Sequence, residues 1–193
     1  MAGSLRVIAG TAGGRVLRLP VGAATRPTSG RLREALFSML EAAGADFERV
    51  LDLYAGSGAL GIEALSRGEG TCTFVEMEPR ALAAVRDNLA RVGFEGRGTV
   101  VRGRVGQWRP PPGGEFTLVL ADPPYDDAAA WGAIERAVQG GLSPGATLVV
   151  EHAARRGPPS MVAGLALWRD RRQGEGAVAI YRAAQEQDVG EDR

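Results

Sequence analysis

A short motif, Asp122-Pro123-Pro124-Tyr125, carries the residue types in this chain that are best suited to chemistry. Proline has no backbone N–H, so the two prolines remove two hydrogen-bond donors and leave the Asp122 carboxylate and the Pro123 carbonyl as acceptors. Two acceptors match an amine with two hydrogens, and Tyr125 offers an aromatic face on which a flipped nucleobase can stack. The motif therefore indicates chemistry at the exocyclic amine of a nucleic-acid base.

The lone pair of such an amine is conjugated into the base ring, which makes the amine a poor nucleophile. Hydrogen bonds from its N–H groups to Asp122 and Pro123 would draw the nitrogen toward tetrahedral geometry and oppose the developing positive charge. Attack on a methyl group would be an in-line displacement to which positioning contributes most, and Asp122 could also take the released proton. We predict that Asp122, Pro123 and Tyr125 are catalytic residues.

A second motif is the glycine loop Gly56-Ser57-Gly58-Ala59-Leu60-Gly61, which matches G-x-G-x-x-G between a predicted strand and a predicted helix. Glycine allows a tight turn and the close approach of a ligand to the backbone. Glu76 ends the next predicted strand, where a carboxylate can reach the hydroxyls of a ribose. On this pattern alone, a nicotinamide or flavin dinucleotide would fit as well as S-adenosylmethionine.

Asp52 separates these cofactors, because it lies four residues before Gly56 and near the carboxyl end of the same predicted strand. The pyrophosphate of a dinucleotide sits over the N-terminus of the following helix, and a carboxylate aimed into that space would repel it. S-adenosylmethionine instead brings an ammonium and a sulfonium, which favour a nearby anion. The electrostatics therefore predict S-adenosylmethionine as the cofactor. Asp122 is also predicted to contact this cofactor.

These motifs need a parallel sheet to bring them together, and the sequence alternates strands with helices from Val50 onward. Strands are predicted at 50–53, 72–76, 99–102, 116–121 and 147–151, followed by a strand pair at 165–172 and 177–183; helices are predicted at 59–67, from Pro79 through Val92, and at 127–139. The predicted fold is α/β and Rossmann-like, with a mostly parallel seven-stranded sheet, helices on both faces and an antiparallel closing hairpin. Ligands bind such sheets at the carboxyl ends of the strands.

An uneven charge distribution points to a polyanionic partner. Residues 1–33 carry six arginines and no acid, although the formal net charge of the chain is zero. We expect residues 1–28 to form a basic arm that contains a small β-hairpin around Gly13-Gly14, and residues 185–193 to be an acidic, disordered tail. The candidate RNA contacts are Arg6, Arg15, Arg26, Thr28, Arg31 and Arg33.

The composition of the whole chain bounds the class of protein. At 193 residues and 45% hydrophobic residues, one globular domain is expected. No run of 18 apolar residues predicts a membrane span, and the first 20 residues lack the apolar centre of a signal peptide. Cys72 is the single cysteine, so we expect a reduced, cytoplasmic enzyme without a structural disulfide or a metal.

At this point the sequence resembles the class I S-adenosylmethionine-dependent methyltransferases, and within them the bacterial family that methylates the guanine N2 amine of 16S ribosomal RNA. The resemblance extends from Arg6 to Tyr181. It is carried by Arg6-Val7-Ile8-Ala9-Gly10, by Arg26-Pro27-Thr28 with Arg33-Glu34-Ala35-Leu36-Phe37, by Asp52 through Gly61, by Glu63-Ala64-Leu65-Ser66-Arg67-Gly68, and by Asp122-Pro123-Pro124-Tyr125. The glycine motif marks only the superfamily, whereas the N-terminal arm and the residues from Glu63 to Gly68 are more specific.

The resemblance implies a methyltransferase domain at 29–184 that works as a monomer on the small ribosomal subunit, during or after its assembly. It implies that Asp52, Gly56 and Gly58 hold the methionine part, that Glu76 binds the ribose, that Asp122 and Tyr125 hold the base, and that Arg26 and Thr28 lie beside the cofactor or the RNA. The full set of predicted cofactor contacts is Asp52, Tyr54, Gly56, Ser57, Gly58, Glu76, Met77, Val105 and Asp122.

One position departs from the family pattern. After the third strand, related enzymes often place an aspartate or asparagine against the adenine amine, whereas this chain has Arg104, which cannot accept a hydrogen bond. We therefore expect backbone groups near Val105 to read the adenine. His152, the single histidine, is interpreted as structural, and Glu151 as a residue that either braces the site or touches the base pocket.

Three alternatives remain open at this stage. The first keeps the chemistry and changes the substrate, since Asp-Pro-Pro-Tyr and its asparagine relatives also serve adenine-N6 and glutamine-N5 methylation. The second is an NAD-binding oxidoreductase, against which Asp52 argues. The third is a non-enzymatic RNA-binding assembly factor, which the combination of Asp52, Glu76 and Asp122 disfavours.

Overall fold

The computed structural model describes residues 5–20, 30–125 and 127–183. Its centre is an eight-stranded sheet in the order β3-β2-β1-β4-β5-β8-β7-β6. The strands are β1 (Arg49–Leu53), β2 (Thr71–Glu76), β3 (Gly98–Arg102), β4 (Phe116–Ala121), β5 (Leu142–Ala153), β6 (Met161–Val162), β7 (Leu165–Gln173) and β8 (Gly176–Arg182). The first five strands are parallel, and β8 is antiparallel to both β5 and β7.

Helices cover both faces of this sheet. They are α1 (Gly30–Ala42), α2 (Ala59–Arg67), α3 (Pro79–Val92) and α4 (Ala130–Val138), with a 3₁₀ turn at Glu95–Arg97. Alternate residues of the strands enter two separate apolar clusters, one of which contains side chains of α1, α2 and α3 and the other those of α4. The strands therefore read as apolar runs, because both of their faces are buried. No helix in the described part of the chain has the length and hydropathy to cross a bilayer.

The predicted α/β architecture is confirmed, with two differences in detail. The predicted seven-stranded sheet has an eighth member, β6, which is a two-residue edge strand paired with Leu165 and Ala166 and is too short to leave a periodic signal. Strand β5 is 12 residues long and starts at Leu142, earlier than predicted, because the Pro144-Gly145 step interrupts the apolar pattern without ending the strand.

The N-terminal arm lies against the sheet domain. Its two limbs are joined by a β-bridge between Arg6 and Val16 and by backbone hydrogen bonds that include Val7 N–H to Arg15 O at 3.0 Å. The side chains of Val7 and Leu17 are buried in the same apolar cluster as α2. The hairpin is thus part of the packed structure over the described residues 5–20.

The carboxyl ends of the five parallel strands meet at one edge of the sheet. The segment after β1 holds the glycine loop, β2 ends at Glu76, and residues 122–125 directly follow β4. Three segments that are far apart in sequence are therefore brought to one place by the parallel arrangement.

Candidate functional site

A cleft of about 1320 Å³ lies at this edge and is lined by most of the predicted site residues. Asp52 and Asp122 both line it. The residue predicted to contact a cationic cofactor and the residue predicted to hold a base amine therefore border the same space. Other predicted residues in its wall are Tyr54, Gly56, Ser57, Glu76, Met77, Val105, Pro123 and Tyr125. The structure therefore brings together two motifs that the sequence separates by about 70 residues.

The three positions of the loop hold glycine for different structural reasons. Gly56 and Gly58 have φ angles of +55° and +77°, which residues with a side chain rarely adopt. A Cβ on Gly56 would meet only Tyr54 O, at 3.8 Å, so no protein atom fills the space beside it. A Cβ on Gly61 would lie 2.4 Å from the Phe74 ring, so this glycine allows α2 to pack on the sheet. The loop thus leaves a cradle beside Gly56 that a ligand can enter.

Asp52 is a buried carboxyl group beneath the loop, with 1% of its surface exposed. Its Oδ2 accepts a hydrogen bond of 2.9 Å from the backbone N–H of Gly61. Burial raises the pKa of Asp52 to about 8, since one backbone hydrogen bond does not replace the lost hydration and Glu76 adds like charge. A cation placed in the cleft would favour the ionised form.

Glu76 is held in place by backbone amides at the end of β2. Its Oε2 accepts the N–H of Gly56 at 2.9 Å, and its Oε1 accepts the N–H groups of Met77 at 2.7 Å and Glu78 at 2.9 Å. These bonds tie the second strand to the glycine loop and fix the carboxylate at the rim of the cleft. Its position is compatible with a hydroxyl-bearing ligand, because each carboxylate oxygen can accept more than one hydrogen bond.

Residues 122–125 form the opposite wall of the cleft, where Pro123 is buried and Tyr125 is half-buried. The Tyr125 hydroxyl donates a hydrogen bond of 2.7 Å to Glu151 Oε1. Burial first, and then the bond to Glu151, raises the pKa of Tyr125 above its usual range, so the phenol stays protonated at neutral pH. The hydrogen bond from its hydroxyl therefore fixes the position of the Tyr125 ring.

The segment after β3 contributes backbone groups and side chains to the cleft. Residues 103–107 line it, and the N–H of Gln107 donates to the carbonyl of Arg104 at 3.0 Å in a turn that contains Gly106 at φ +89°. The Val105 side chain is buried, whereas Arg104 and Gln107 are exposed. Backbone groups, the apolar Val105 and the amide of Gln107 are therefore among the contacts that a planar ring could make here.

Tyr54 adopts the left-handed conformation at φ +59°, which is unusual for an aromatic residue. It follows directly after β1 and packs against the cluster that contains α4. Burial raises the pKa of Tyr54 to about 12. A strained backbone at the start of a ligand loop is typical of a functional site.

The predicted RNA contacts divide into three groups. Arg6, Arg15 and Arg31 are exposed. Arg33 is 3% exposed, its Nη2 donates to the backbone carbonyl of Arg6, and it lines the cleft. The helical spacing places it on the inner face of α1, beside the buried Leu32 and Leu36. Arg26 and Thr28 lie outside the described residues.

Two residues beside Tyr125, Glu151 and Gly176, were absent from the predicted catalytic set. Glu151 lies on β5 at the same edge as the other carboxylates, so its position after the strand core was the signal that could have promoted it. Gly176 opens β8, and a Cβ there would lie 2.7 Å from the Tyr125 hydroxyl oxygen. No sequence pattern marks this close approach.

His152 makes structural contacts, as predicted. Its Nε2 lies 3.1 Å from Asp170 Oδ1, its Nδ1 lies 3.0 Å from the Arg156 carbonyl, and its ring packs on Trp131. These contacts bind β5 to β7 and to the loop after β5. Over residues 5–20, 30–125 and 127–183, no three His, Cys, Asp or Glu side chains are grouped as metal ligands.

Named relatives match nearly the whole chain. "Putative rRNA methyltransferase YlbH" of Bacillus subtilis (strain 168) is 34% identical over 186 residues, which cover 92% of this chain and 98% of the relative. "Ribosomal RNA small subunit methyltransferase D" of Escherichia coli (strain K12) is 33% identical over 185 residues, covering 93% and 90% respectively.

Solved structures support the same fold. "Putative methyltransferase yhhF" from Escherichia coli has a TM-score of 0.75 and 31% identity, with 95% of this chain and 100% of that chain covered. An RNA methyltransferase from Salinibacter ruber, solved in complex with S-adenosyl-L-homocysteine, shares the fold with a TM-score of 0.60 at 20% identity, covering 87% and 100%. The fold is therefore that of the class I methyltransferases. The model of the family described as "Conserved hypothetical protein 95" matches residues 5–182, and the chain belongs to that family.

Proposed function

We propose that this protein transfers a methyl group from S-adenosylmethionine to the exocyclic N2 amine of a guanine in 16S ribosomal RNA. The observation that carries the proposal is that Asp52, Glu76 and Asp122 line one cleft at the carboxyl edge of the sheet. Two relatives that match about nine-tenths of the chain are named as ribosomal RNA methyltransferases. The name of one of them specifies the small ribosomal subunit.

The cofactor end of the cleft fits S-adenosylmethionine by charge and by shape. Asp52 would face the cationic methionine part, and Glu76 would accept hydrogen bonds from the ribose hydroxyls. The open space beside Gly56 admits a ligand close to the backbone, and the wall formed by Met77 and Val105 suits the adenine ring. The related fold solved with S-adenosyl-L-homocysteine supports this assignment.

When bound, the cofactor supplies a methyl group activated by the positive sulfur. The residues of the chain do the remaining work, which is to hold the acceptor. Asp122 and the Pro123 carbonyl would accept hydrogen bonds from the amine, and Tyr125 would stack on the base. Asp122 would also take the proton that the nitrogen loses.

The RNA would approach across the N-terminal arm. Arg6, Arg15 and Arg31 are exposed and can bind phosphates, and we include Arg26 and Thr28 from the sequence prediction. Arg33 is buried and lines the cleft, so it would meet the RNA only inside the cleft and not on the outer surface of the arm. We further propose a cytoplasmic monomer that acts on an assembly intermediate or on the assembled small subunit.

The proposal is tested by methylating small subunits and 16S RNA from cells that lack the gene, with isotopically labelled S-adenosylmethionine. We expect labelled N2-methylguanosine at one position after nuclease digestion and mass spectrometry. The Asp122→Ala variant should fail to form it, whereas Asp87→Ala, an exposed change on α3, should behave as the wild type. Labelled N6-methyladenosine instead would assign the chain to the adenine enzymes.

The cofactor assignment has its own test. Calorimetric titration should show binding of S-adenosyl-L-homocysteine and none of NAD, because Asp52 and Glu76 line the cleft and an anionic pyrophosphate would have to enter beside these two carboxyl groups. Binding of NAD alone would favour the oxidoreductase interpretation. RNA binding without either cofactor would favour an assembly factor.

A further inference from the structure

The wall of the cleft around Tyr125 is lined by hydrogen-bond acceptors. The carboxylates of Asp122, Glu151 and Glu175 all line the cleft and act electrostatically on the Tyr125 hydroxyl. The backbone of residues 123 and 124 adds two carbonyls and no N–H donor. The hydroxyl of Tyr125 is itself donated to Glu151. A base that enters beside Tyr125 therefore meets a group of acceptors, while the donor side chains of Arg33, Arg136 and Gln173 line other parts of the same cleft.

This polarity selects among the bases that have an exocyclic amine. The Watson–Crick edge of guanine presents two adjacent donors, N1–H and the N2 amine. Adenine and cytosine present an amine beside a bare ring nitrogen, whose lone pair would oppose a carboxylate. A carboxylate that accepts from guanine N1–H is thus a discriminating contact, since the wrong base leaves two acceptors facing each other.

Glu151 is the carboxylate whose position suits this contact. It is 5% exposed and belongs to β5, a strand in the middle of the sheet, so its backbone is rigid. Its Oε1 accepts the hydrogen bond from Tyr125, and a carboxylate can accept several hydrogen bonds at once. The backbone of β8 approaches the pair closely at Gly176, since a Cβ there would lie 2.7 Å from the Tyr125 hydroxyl oxygen and 3.6 Å from Glu151 Oε1.

We infer that Glu151 is the residue that makes this site specific for guanine, by accepting a hydrogen bond from guanine N1–H while Asp122 holds the N2 amine. Tyr125 has a positioning role in this arrangement, because its hydroxyl fixes the rotamer of Glu151. The inference rests on the proposed guanine-N2 activity and adds the residue that reads the base.

The test uses 2-aminopurine, which keeps the amine at C2 but has no hydrogen on N1. Small subunits are reconstituted with 16S RNA that carries either guanine or 2-aminopurine at the mapped target position. For the wild type we expect kcat/KM to fall by about 100-fold on 2-aminopurine. In Glu151→Gln, the amide oxygen still accepts from Tyr125 while the amide N–H can donate to the bare N1. The variant should therefore discriminate by about 10-fold or less.

The matched control is Tyr125→Phe, which removes the hydroxyl and leaves the carboxylate of Glu151 in place. It should lower the rate on both substrates and keep most of the discrimination. An unchanged ratio in Glu151→Gln, or an equal loss of discrimination in Tyr125→Phe, would overturn the inference. Because each ratio is taken within one variant, a loss of stability cancels. If the wild type forms no N2-methylguanosine on natural RNA, the proposed function and this inference both fail.

Discussion

The Tyr125 hydroxyl and Glu151 Oε1 are joined by a hydrogen bond of 2.7 Å that links the loop after β4 to the neighbouring strand β5. The first residue of β8, Gly176, faces this pair without a side chain. Three adjacent strands in the sheet thus converge on one aromatic ring. The position of the ring depends on packing between elements that are distant in the sequence.

Gly176→Ala should disturb this pair directly. Its added Cβ would lie 2.7 Å from the Tyr125 oxygen and 3.5 Å from Leu32 Cδ2, so the ring must shift. We expect the turnover rate to fall by about 10-fold or more, because a misplacement of the order of 1 Å at a positioned group has effects of this size. The affinity for S-adenosyl-L-homocysteine should stay the same, as measured by calorimetry.

The control for this change is Gly157→Ala. Gly157 is exposed, and a Cβ there would meet no atom within 4 Å. It should therefore leave both the rate and the affinity unchanged. Wild-type turnover in Gly176→Ala would show that the Tyr125 ring is not held as the structure indicates.

The elements of this site differ in how far the sequence predicts them. Asp52, Glu76 and Asp122 each follow or end a recognisable buried strand, so the rule that ligands lie at the carboxyl edge brings them together. Gly176 carries no such signal, since only the three-dimensional contact with Tyr125 gives it a role.

Arg33 shows the limit of reasoning from charge. A cluster of arginines predicts a surface, but the period of α1 turns this one residue inward, where it binds the carbonyl of Arg6. Burial lowers the pKa of Arg33, and the nearby Glu63 offsets part of that cost. Sequence composition cannot separate an internal arginine from an RNA contact unless the helical face is also assigned.

Asp52 gives the free energy of unfolding a defined dependence on pH. Its pKa is raised by burial from 3.8 to about 8 in the folded protein. Folding therefore favours the protonated form, and the stability present below pH 4 is lost as the pH rises toward 8. Asp52→Asn remains neutral and can still accept from Gly61, so its stability should not show this loss.

Chemical denaturation at pH 5 and pH 8 measures the effect. We expect the stability of Asp52→Asn relative to the wild type to increase by about 3 kcal/mol across this interval. The comparison is made without cofactor, since a bound cation would favour the ionised carboxyl. Parallel stability curves for the two proteins would mean that Asp52 is already ionised in the folded state.

Asp122 should matter for the reaction more than for cofactor binding. Asp122→Ala removes the carboxyl that we propose accepts the amine hydrogens and takes the released proton. We expect the single-turnover rate to fall by about 100- to 1,000-fold. The dissociation constant for S-adenosyl-L-homocysteine should change by about threefold at most, and a parallel loss of both quantities would place Asp122 in the cofactor site alone.

The exposed arginines of the arm and of α1 should set the salt dependence of RNA binding. Each phosphate contact contributes a slope of about 0.7 to 0.9 to the plot of log affinity against log salt. Arg15→Gln and Arg31→Gln should each make this slope less steep by about one contact. Arg49→Gln serves as the control. Arg49 is the first residue of β1, so it lies at the opposite end of the strand from the carboxyl end that borders the cleft. Equal slopes in all variants would remove these two arginines from the RNA interface.

Glu63 is the residue that should hold the arm against the domain. It is fully buried on α2, and its carboxylate accepts the N–H groups of Ile8 at 2.7 Å and Ala9 at 3.1 Å as well as a 2.8 Å bond from Arg67 Nε. Glu63→Ala takes away one of the two carboxylate partners of Arg67, which keeps Glu41 at 2.8 Å, and two amides of the arm lose their acceptor. The cost in the free energy of unfolding should therefore stay below the about 3–5 kcal/mol of a buried charge left without any partner.

Hydrogen exchange distinguishes a local effect from a global one. In Glu63→Ala, the amides of Ile8 and Ala9 should exchange much faster than those of β4, and limited proteolysis should cut first within the arm. RNA affinity should then fall more than the affinity for S-adenosyl-L-homocysteine, because Asp52, the glycine loop and Glu76 lie outside the arm, which contributes Leu5, Leu19 and Pro20 to the cleft. Uniform acceleration across the sheet would show instead that Glu63 supports the whole domain, and that the arm has no independent stability to lose.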